Sequence, residues 1–430
     1  MRNEISIGNK MDWVTVVIYL SIMLLGWLNI FAAVYDPTSN NDLFHFTTSF
    51  GTMPLQMKQF MFMVASFLII LTILIVDMRF YETFAYVIYG VMMLMLLIVP
   101  FVGKEVGGNR AWLGVGSFGV QPSEFAKFVT ALAIAKFIGS VGFRMDNLRN
   151  QAILFVMIGI PMMLILLQKD TGTALVFTVF VLVFYREGMS PFILVVGVAA
   201  IFLFVLALLV ENENYLYLGV GALLTLLIVT GKKKFKRIAI LTAGAIVVVG
   251  VIASVDYVIT DVLKPHQQNR IKALINPDSD PLGYGWNVTQ SKIAIGSGGF
   301  LGKGFLKGTQ TKFDFVPEQS TDFIFCTIGE EQGWVGSSIV IILFMSLLLR
   351  IVFLAERQKN RFARSYGYAV ACIFFFHFAV NIGMTVGLLP VIGIPLPFFS
   401  YGGSSLWAFT ILLFILLKLD AHRSQVLERL

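Results

Sequence analysis

Asp322 opens a long apolar stretch, and a second carboxylate, Glu330, follows eight residues later inside it. Charge that close to hydrocarbon is costly, so an ionisable residue at such a boundary is a functional-site hypothesis by default. The polar run Val316-Pro-Glu-Gln-Ser-Thr-Asp322 leads directly into Phe323-Ile-Phe-Cys-Thr-Ile-Gly-Glu-Glu-Gln-Gly333 and on through apolar sequence. A spanning helix is expected over 322–349, with Ser320 and Thr321 as N-caps. Asp322 then lies in its first turn, where the helix dipole favours an anion. Glu330 lies roughly 12 Å deeper along the axis. A carboxylate held at that boundary suits general-base chemistry on a substrate whose apolar part stays in lipid. The plainer alternatives are that Asp322 only complements the dipole and that Glu330 is a buried, hydrogen-bonded or protonated acid.

Other polar groups could serve such a base. Glu124 and Lys127 are three residues apart, on one helix face, behind Pro122 at a position suited to a first turn. Paired, each lowers the other's cost of entering a membrane. A structural ion pair and a substrate contact weigh about evenly for them. Asn109-Arg-Ala-Trp112 precedes them in the same loop. The glycine-rich run Gln290 to Gly304 could expose successive backbone N–H groups as an anion nest, with Lys303 and Lys307 beside it, although ordinary turns use the same residues. No phosphate-binding Walker sequence is present. Gln168-Lys-Asp-Thr-Gly-Thr173 makes a tight polar turn. His377 and Asn381 share a helix face, where a core hydrogen-bonded pair is favoured over metal ligation. Cys326 and Cys372 read as small buried hydrophobes.

These groups need a scaffold, and composition identifies it. Hydrophobic residues make up 57% of the 430 and charged residues 13%, about half the charge of a soluble domain. Apolar runs at 13–34, 57–77, 82–103, 122–140, 151–168, 171–186, 191–211, 214–231, 236–257, 322–349, 365–388 and 398–418 give about twelve crossings. The first is too long for a signal-peptide core and is expected to stay as a span. The net charge of +7 is not a nucleic-acid patch, because Lys and Arg cluster in alternate loops. They include Lys232 to Arg237, Arg350 to Arg364 and the segment from Lys418, whereas 35–56, 212–213 and 389–397 hold none. Positive charge stays with the cytoplasm. Both termini are therefore expected inside, and 104–121 and 258–321 outside. The expected fold is an all-α polytopic membrane protein, one domain over 1–430, with a catalytic outer loop at 258–321.

Several segments together resemble the shape, elongation, division and sporulation family of membrane glycosyltransferases. They are Asn109-Arg-Ala-Trp112, Gln121-Pro-Ser-Glu-Phe-Ala-Lys127, Asn276-Pro-Asp-Ser-Asp-Pro-Leu-Gly283, Gln290 to Gly299, Gly302-Lys-Gly304, Gly308-Thr-Gln310, Pro317-Glu318, Thr321-Asp-Phe-Ile-Phe325, Asn381 to Met384, Pro395 to Pro397 and Ser400-Tyr-Gly-Gly-Ser404. They recur in order over nearly the whole chain. Gln290 to Gln310 is more similar to the elongation branch of the family than to its division branch. The resemblance implies a peptidoglycan glycosyltransferase that polymerises lipid II (the undecaprenyl-diphosphate disaccharide-pentapeptide) into glycan strands during cell elongation and rod-shape maintenance. It further implies Asp322 as the essential carboxylate, and Arg110, Trp112, Glu124, Lys127, Asp170, Lys303, Gln310 and Glu318 as substrate-binding candidates. Expected partners are a class B penicillin-binding protein transpeptidase and other membrane proteins of the elongation machinery. The expected location is the bacterial plasma (inner) membrane, with the site facing the periplasm or cell exterior. Two departures stand out: Ser320 replaces a usual histidine, and Lys169 a usual proline. Two helices beyond the family's usual number fall within 190–255 and read as an inserted pair.

On that reading Asp322 takes the proton of an acceptor sugar hydroxyl as it attacks the donor anomeric carbon with inversion. Arg110, Lys127 and Lys303 are candidates to neutralise the departing diphosphate, and a divalent cation, magnesium or manganese, is a candidate to share that task. No second outer-face acid at a hydrolase spacing is visible, which agrees with transfer. The alternatives are a lipid II flippase, a division-type glycosyltransferase, a non-catalytic scaffold for a transpeptidase, or another polyprenyl-sugar ligase. No internal repeat of the kind transporters carry is evident.

Overall fold

The computed structural model describes residues 11–35, 43, 50–106, 109–115, 118–210, 214–230, 235–257, 268, 284–313 and 315–423. Among them every one of the twelve apolar runs is helical. The helices are α1 (Trp13–Val34), α2 (Leu55–Ile75), α3 (Met78–Val102), α4 (Pro122–Ile138), α5 (Leu148–Leu167), α6 (Thr171–Val176) and α7 (Phe180–Arg186). They continue as α8 (Pro191–Leu209), α9 (Asn214–Val229), α10 (Phe235–Tyr257), α11 (Tyr284–Ser297), α12 (Ile324–Glu331), α13 (Gly333–Glu356), α14 (Arg361–Thr385) and α15 (Gly403–Ala421). Among the described residues, seven are long and apolar enough to cross a membrane: α1, α2, α3, α5, α13, α14 and α15. The α6–α7 pair, α8, α9 and α10 contribute shorter apolar stretches.

The chain divides into two compact units, Met1–Gly188 with Asn287–Leu430, and Met189–Trp286. In the smaller unit α10 packs against both α8 and α9. Ala207 and Ile252 are buried there, with Leu216, Tyr217, Val220 and Val248 against them. Ser190 caps α8, its hydroxyl accepting from the Phe192 N–H at 3.3 Å, with Pro191 at the first helical position, where a missing N–H costs nothing.

In the larger unit α15 is the axis. Leu412 to Leu417 are buried in succession, the pattern of a helix apolar all round. It packs against α2, α4 and α14, while α4 also lies against α3 and α14. Exposed apolar side chains on α3 and α5, Leu94, Phe101 and Met163 among them, are what a lipid-facing surface requires. At one end, basic residues that the sequence places inside meet buried acids. Arg350 pairs with Asp12, Arg357 and Arg423 with Asp420, and Arg361 and Arg364 with Glu187.

Four expectations change. The chain is not wholly helical: β1 (Lys104–Val106), β2 (Asn109–Val115) and β3 (Phe118–Val120) form an antiparallel meander. Such three- to seven-residue strands fall below what apolar periodicity reveals. An unforeseen helix, α11, stands before the Asp322 segment, and its residues from Asn287 belong to the larger unit. The expected helix 322–349 is broken into α12 and α13, so Glu330 lies outside the spanning helix, not deep within it.

The glycine-rich run is a backbone clasp across that break. Lys303 and Gly304 donate to the carbonyls of Glu330 and Glu331 at 3.0 and 2.8 Å, while Trp334 and Val335 donate to Gly299 and Phe300 at 2.9 and 3.2 Å. The clasp thus satisfies the end of one helix and the start of the next. Its N–H groups at 303 and 304 face protein carbonyls and are not offered to a phosphate. Gly302, at φ +80°, has room for no Cβ, which would sit 2.1 Å from the Glu331 carbonyl oxygen. Gly302→Ala is therefore expected to lower the melting temperature in detergent far more than Gly299→Ala, where φ is +58° but the space is open. The latter should cost about 1 kcal/mol.

Asn269 to Lys272, Asn276 to Gly283, Gly107, Gly108 and Lys232 to Lys234 lie outside the described residues.

Candidate active site

Asp322 sits in a tight turn, not in a helix. Glu318, at φ +56°, uses its carbonyl to accept from the N–H groups of Thr321 and Phe323, each at 3.1 Å, and its carboxylate accepts from the Thr321 hydroxyl at 2.9 Å. Phe323 is the N-cap of α12 and makes no side-chain cap bond, so neither Ser320 nor Thr321 plays that part. Their carbonyls, and that of Asp322, are instead gripped in succession. Ser320 O accepts from Tyr401 N at 2.9 Å, Thr321 O from the Ser400 hydroxyl at 2.6 Å, and Asp322 O from Asn381 Nδ2 at 2.9 Å. Asn29 adds a bond to Ile324 O at 3.0 Å. Underneath, Val288 and Ala294 of α11 pack with Val316, Phe323, Cys326 and Val391.

The Asp322 side chain is half-buried and faces Gly393. A Cβ on that glycine, whose φ is +79°, would lie 3.3 Å from Asp322 Oδ2. Glycine therefore leaves space beside the carboxylate, and the 392–395 segment forms one wall of the site.

That segment is held from two sides. Asn381 Nδ2 also donates to Ile394 O at 2.8 Å, and His377 Nδ1 lies 3.0 Å from Pro395 O. His377 and Asn381 thus do not pair with each other; each reaches the wall. With Nδ1–H given to a carbonyl, His377 Nε2 is left to accept from Lys127 Nζ at 3.0 Å. Lys127 also meets Glu124 Oε2 at 2.9 Å and lies 4.7 Å from the centre of the Phe409 ring. Its side chain has 0% exposure and that of Glu124 4%. Glu124, Lys127 and His377 form a buried line ending on the wall behind Asp322.

Asp170 joins the same end. One of its oxygens caps α6, accepting from Thr173 N at 3.0 Å, and the other accepts from Gln121 Nε2 at 2.9 Å. Gln121 N donates to the Ser404 hydroxyl at 3.0 Å, where α15 begins. Gly172 approaches so closely that its Cβ would be 2.7 Å from Ile392 O. Lys169, standing where the family's usual proline would be, has φ +66°, a conformation that proline's ring forbids.

Lys303 and Gln310 are gathered elsewhere, around Glu330. Lys303 Nζ is 2.7 Å from Glu330 Oε1 and 2.7 Å from the Thr309 hydroxyl, and the Gln310 N–H donates to the same carboxylate oxygen at 2.8 Å. Desolvation pushes the Glu330 carboxyl upward, but Lys303 and the N–H groups of Gln310, Thr311 and Thr309 outweigh it and hold the group down at about 2. Glu330 is therefore ionised at neutral pH. Arg110 lies on β2 opposite Glu105, their side chains 3.3 Å apart and both exposed, and Trp112 is half-buried on the same strand. Among the described residues, no three His, Cys, Asp or Glu side chains are grouped to hold a metal ion.

An apolar cavity of about 280 Å³ lies between α1 and α13, walled by Leu25, Leu28, Ile339 and Val340, with Phe305 and Phe399 among its lining residues. Asn29, which bonds Ile324, borders it, so the slot adjoins the Asp322 segment.

A family profile described as cell cycle protein, covering FtsW, RodA and SpoVE, matches residues 12–217 and 190–425. The chain belongs to this family. Among FtsW/RodA/SpoVE relatives, the peptidoglycan glycosyltransferase RodA of Treponema pallidum is 34% identical over 389 residues, which is 85% of this chain and 90% of that one. The peptidoglycan glycosyltransferase MrdB of Escherichia coli K12 is 34% identical over 348 residues, 81% of this chain and 80% of the relative. In structure, the chain is similar to a component of a peptidoglycan synthase complex described as coordinating polymerization and crosslinking. That likeness has a TM-score of 0.67 at 26% identity and covers 96% of this chain and 99% of that one. A crystal structure of the rod shape determining protein RodA of Thermus thermophilus, in a form with one aspartate replaced by alanine, gives 0.62 at 25% identity, covering 96% and 98%. The largely helical FtsW/RodA/SpoVE fold is shared.

Of the groups that the sequence singles out, Asp322, Glu318, Glu124 and Lys127 converge on the 318–323 turn and the 392–395 wall through hydrogen bonds, and Asp170 caps the helix whose Gly172 packs against Ile392. Lys303 and Gln310 form a second cluster, and Arg110 and Trp112 lie on the sheet. Sequence reasoning missed Gly393, Asn29 and Ser404 as site-forming residues. Only the quoted Ser400–Ser404 motif could have pointed to one of them.

Proposed function

We propose that this protein polymerises lipid II into glycan strands with Asp322 as general base. The observation that carries the reading is a carboxylate on a backbone gripped at three successive carbonyls, with glycine clearing the space beside it. Preorganisation of that kind lets a base take a proton in the transition state without first being ordered. The acceptor sugar's 4-hydroxyl gives its proton to Asp322 and bonds to the donor's C1. The bond from C1 to the diphosphate breaks, the electron pair leaves with the lipid diphosphate, and the anomeric centre inverts. Glu318 holds the turn, Asp170 and Gln121 shape the facing rim, and the Glu124–Lys127–His377 line supports the wall at 392–395. Lys303 and Gln310 in the Glu330 cluster and Arg110 and Trp112 on the sheet are candidates for further contacts with lipid II.

The positive-inside pattern supports a plasma-membrane protein of about twelve crossings with both termini inside and this site on the outer face. The two profile matches overlap at 190–217, as an inserted helix pair near 190–255 would produce. The likeness to a polymerising and crosslinking complex supports a class B transpeptidase partner. Similarity to RodA and MrdB supports an elongation role.

Purified protein in detergent with labelled lipid II, alone and with the transpeptidase, tests the reading. A ladder of glycan products is expected; movement of lipid II across vesicles without polymer would instead make the protein a flippase. The slot beside α13 suits the carrier's hydrocarbon tail. Ile339→Trp, which narrows it, should raise KM for lipid II several-fold with kcat little changed, the signature of lost uniform binding, read from initial rates.

A further inference from the structure

Glu330 receives more hydrogen bonds than a buried acid needs for burial alone. Its Oε1 accepts from Lys303 Nζ at 2.7 Å, Thr309 N at 2.7 Å, Thr309 Oγ1 at 3.1 Å and Gln310 N at 2.8 Å. Its Oε2 accepts from Thr311 N at 2.9 Å and Thr311 Oγ1 at 2.8 Å. Three successive backbone N–H groups, two hydroxyls and an ammonium thus converge on one carboxylate. This is the geometry of an anion nest, filled here by the protein's own side chain. The surroundings are built for it: a Cβ on Gly308 would lie 2.5 Å from Thr311 Oγ1 and 3.1 Å from Glu330 Oε2, so only glycine admits the carboxylate. The Glu330 side chain has 0% exposure, whereas that of Lys303 keeps 26%, so the acid is sealed in and the cation remains reachable from outside.

We infer that Glu330 is a positioning residue for the transfer reaction, fixing Lys303 and the backbone of Gln310 so that their outward groups meet the diphosphate of the substrate in one set geometry. The inference rests on the function proposed above. The carboxylate anchors a loop at its centre. Backbone bonds from Lys303 and Gly304 to the end of α12 hold one edge, and the Glu330 carboxylate, together with the Lys303–Thr309 bond, ties that edge to 309–311. Lys303 would otherwise be a flexible cation with high rotamer entropy. Held at 2.7 Å by a buried anion, it becomes a preorganised charge, and its benefit belongs to the transition state, where the leaving group gains charge.

The test uses full-length protein with its transpeptidase and labelled lipid II, with initial rates measured across substrate concentration for Glu330→Gln, Lys303→Gln and the double variant. Glu330→Gln is expected to lower kcat at least 10-fold with KM changed less than 3-fold. The double variant should be no slower than the slower single variant, because both act through one group. A purely structural Glu330 would lower the melting temperature and the yield while leaving kcat per folded molecule unchanged, and losses in the double variant would multiply; either result overturns the inference. Should Glu330→Gln resist purification, Thr311→Val removes one hydroxyl donor without stranding a charge. It should lower kcat several-fold at unchanged KM, and an unaltered kcat counts against the inference. Asp322→Asn serves as the control on the underlying reading. If it polymerises normally, the proposed function fails; if it is inactive while Glu330→Gln matches the unaltered protein, only the positioning role fails.

Discussion

Asp322→Asn stops glycan polymerisation, with an expected fall of about 10²- to 10⁴-fold in kcat, the range that a positioned general base supplies. The substitution is unusually clean here. The three hydrogen bonds that grip residues 320–322 from outside the turn all go to backbone carbonyls: Tyr401 to Ser320, Ser400 to Thr321 and Asn381 to Asp322. An amide of the same shape leaves all three in place, so melting temperature and co-purification with the transpeptidase should be preserved. Asparagine can still accept a hydrogen bond from a sugar hydroxyl, so KM for lipid II should move little. What it cannot do is take the proton. A ladder of normal length and rate from a well-folded Asp322→Asn protein would end the general-base assignment. A folded but inactive one would leave it standing beside the unchanged architecture.

The sequence made the architecture legible because lipid imposes a coarse code. Apolar runs of sufficient length must be helical, and among the described residues each of the twelve is helical over most of its length, although 322–349 is split and only seven helices are long and apolar enough to span. Basic residues assigned to one side, Arg350, Arg357, Arg361 and Arg364, do gather at one end, though the acids they meet, Asp12, Asp420 and Glu187, were not foreseen. Local periodicity could not show that the run 322–349 breaks at Gln332–Gly333. Nothing in an apolar stretch announces that a distant glycine loop will satisfy the freed backbone groups. The same blindness explains the glycine run itself: nests and clasps use the same residues, and only the partners distinguish them. For His377 and Asn381, the i, i+4 spacing correctly put both on one face, but their partners are the carbonyls of Pro395 and Ile394, set by a loop that returns over the helix. Asp322 was found because an acid at the edge of hydrocarbon is rare enough to demand a reason. Gly393 was missed because its role is the space it leaves empty.

The buried pair beneath the site gives the second large effect. Lys127→Met leaves Glu124 in the core without its cation, and stranding one member of a buried pair typically costs about 3–5 kcal/mol. A large drop in melting temperature in detergent is expected, with loss of activity that reflects the loss of fold. Removing both charges is a different experiment. Glu124→Gln with Lys127→Met takes away the anion and the cation together, and replacement of a whole buried pair by groups of similar volume is often close to neutral. The double variant should therefore recover most of the stability. His377 would keep its bond to Pro395 but lose the ammonium at Nε2, so the wall at 392–395 is supported less firmly and polymerisation should fall by about tenfold without vanishing. This distinguishes the two roles that the sequence weighed equally. With 4% and 0% of their side chains exposed, Glu124 and Lys127 are expected, on the function proposed above, to act through His377 and the loop and not by touching the substrate. A double variant that melts like the unaltered protein yet makes no polymer would reverse that conclusion and place the pair in direct contact with lipid II.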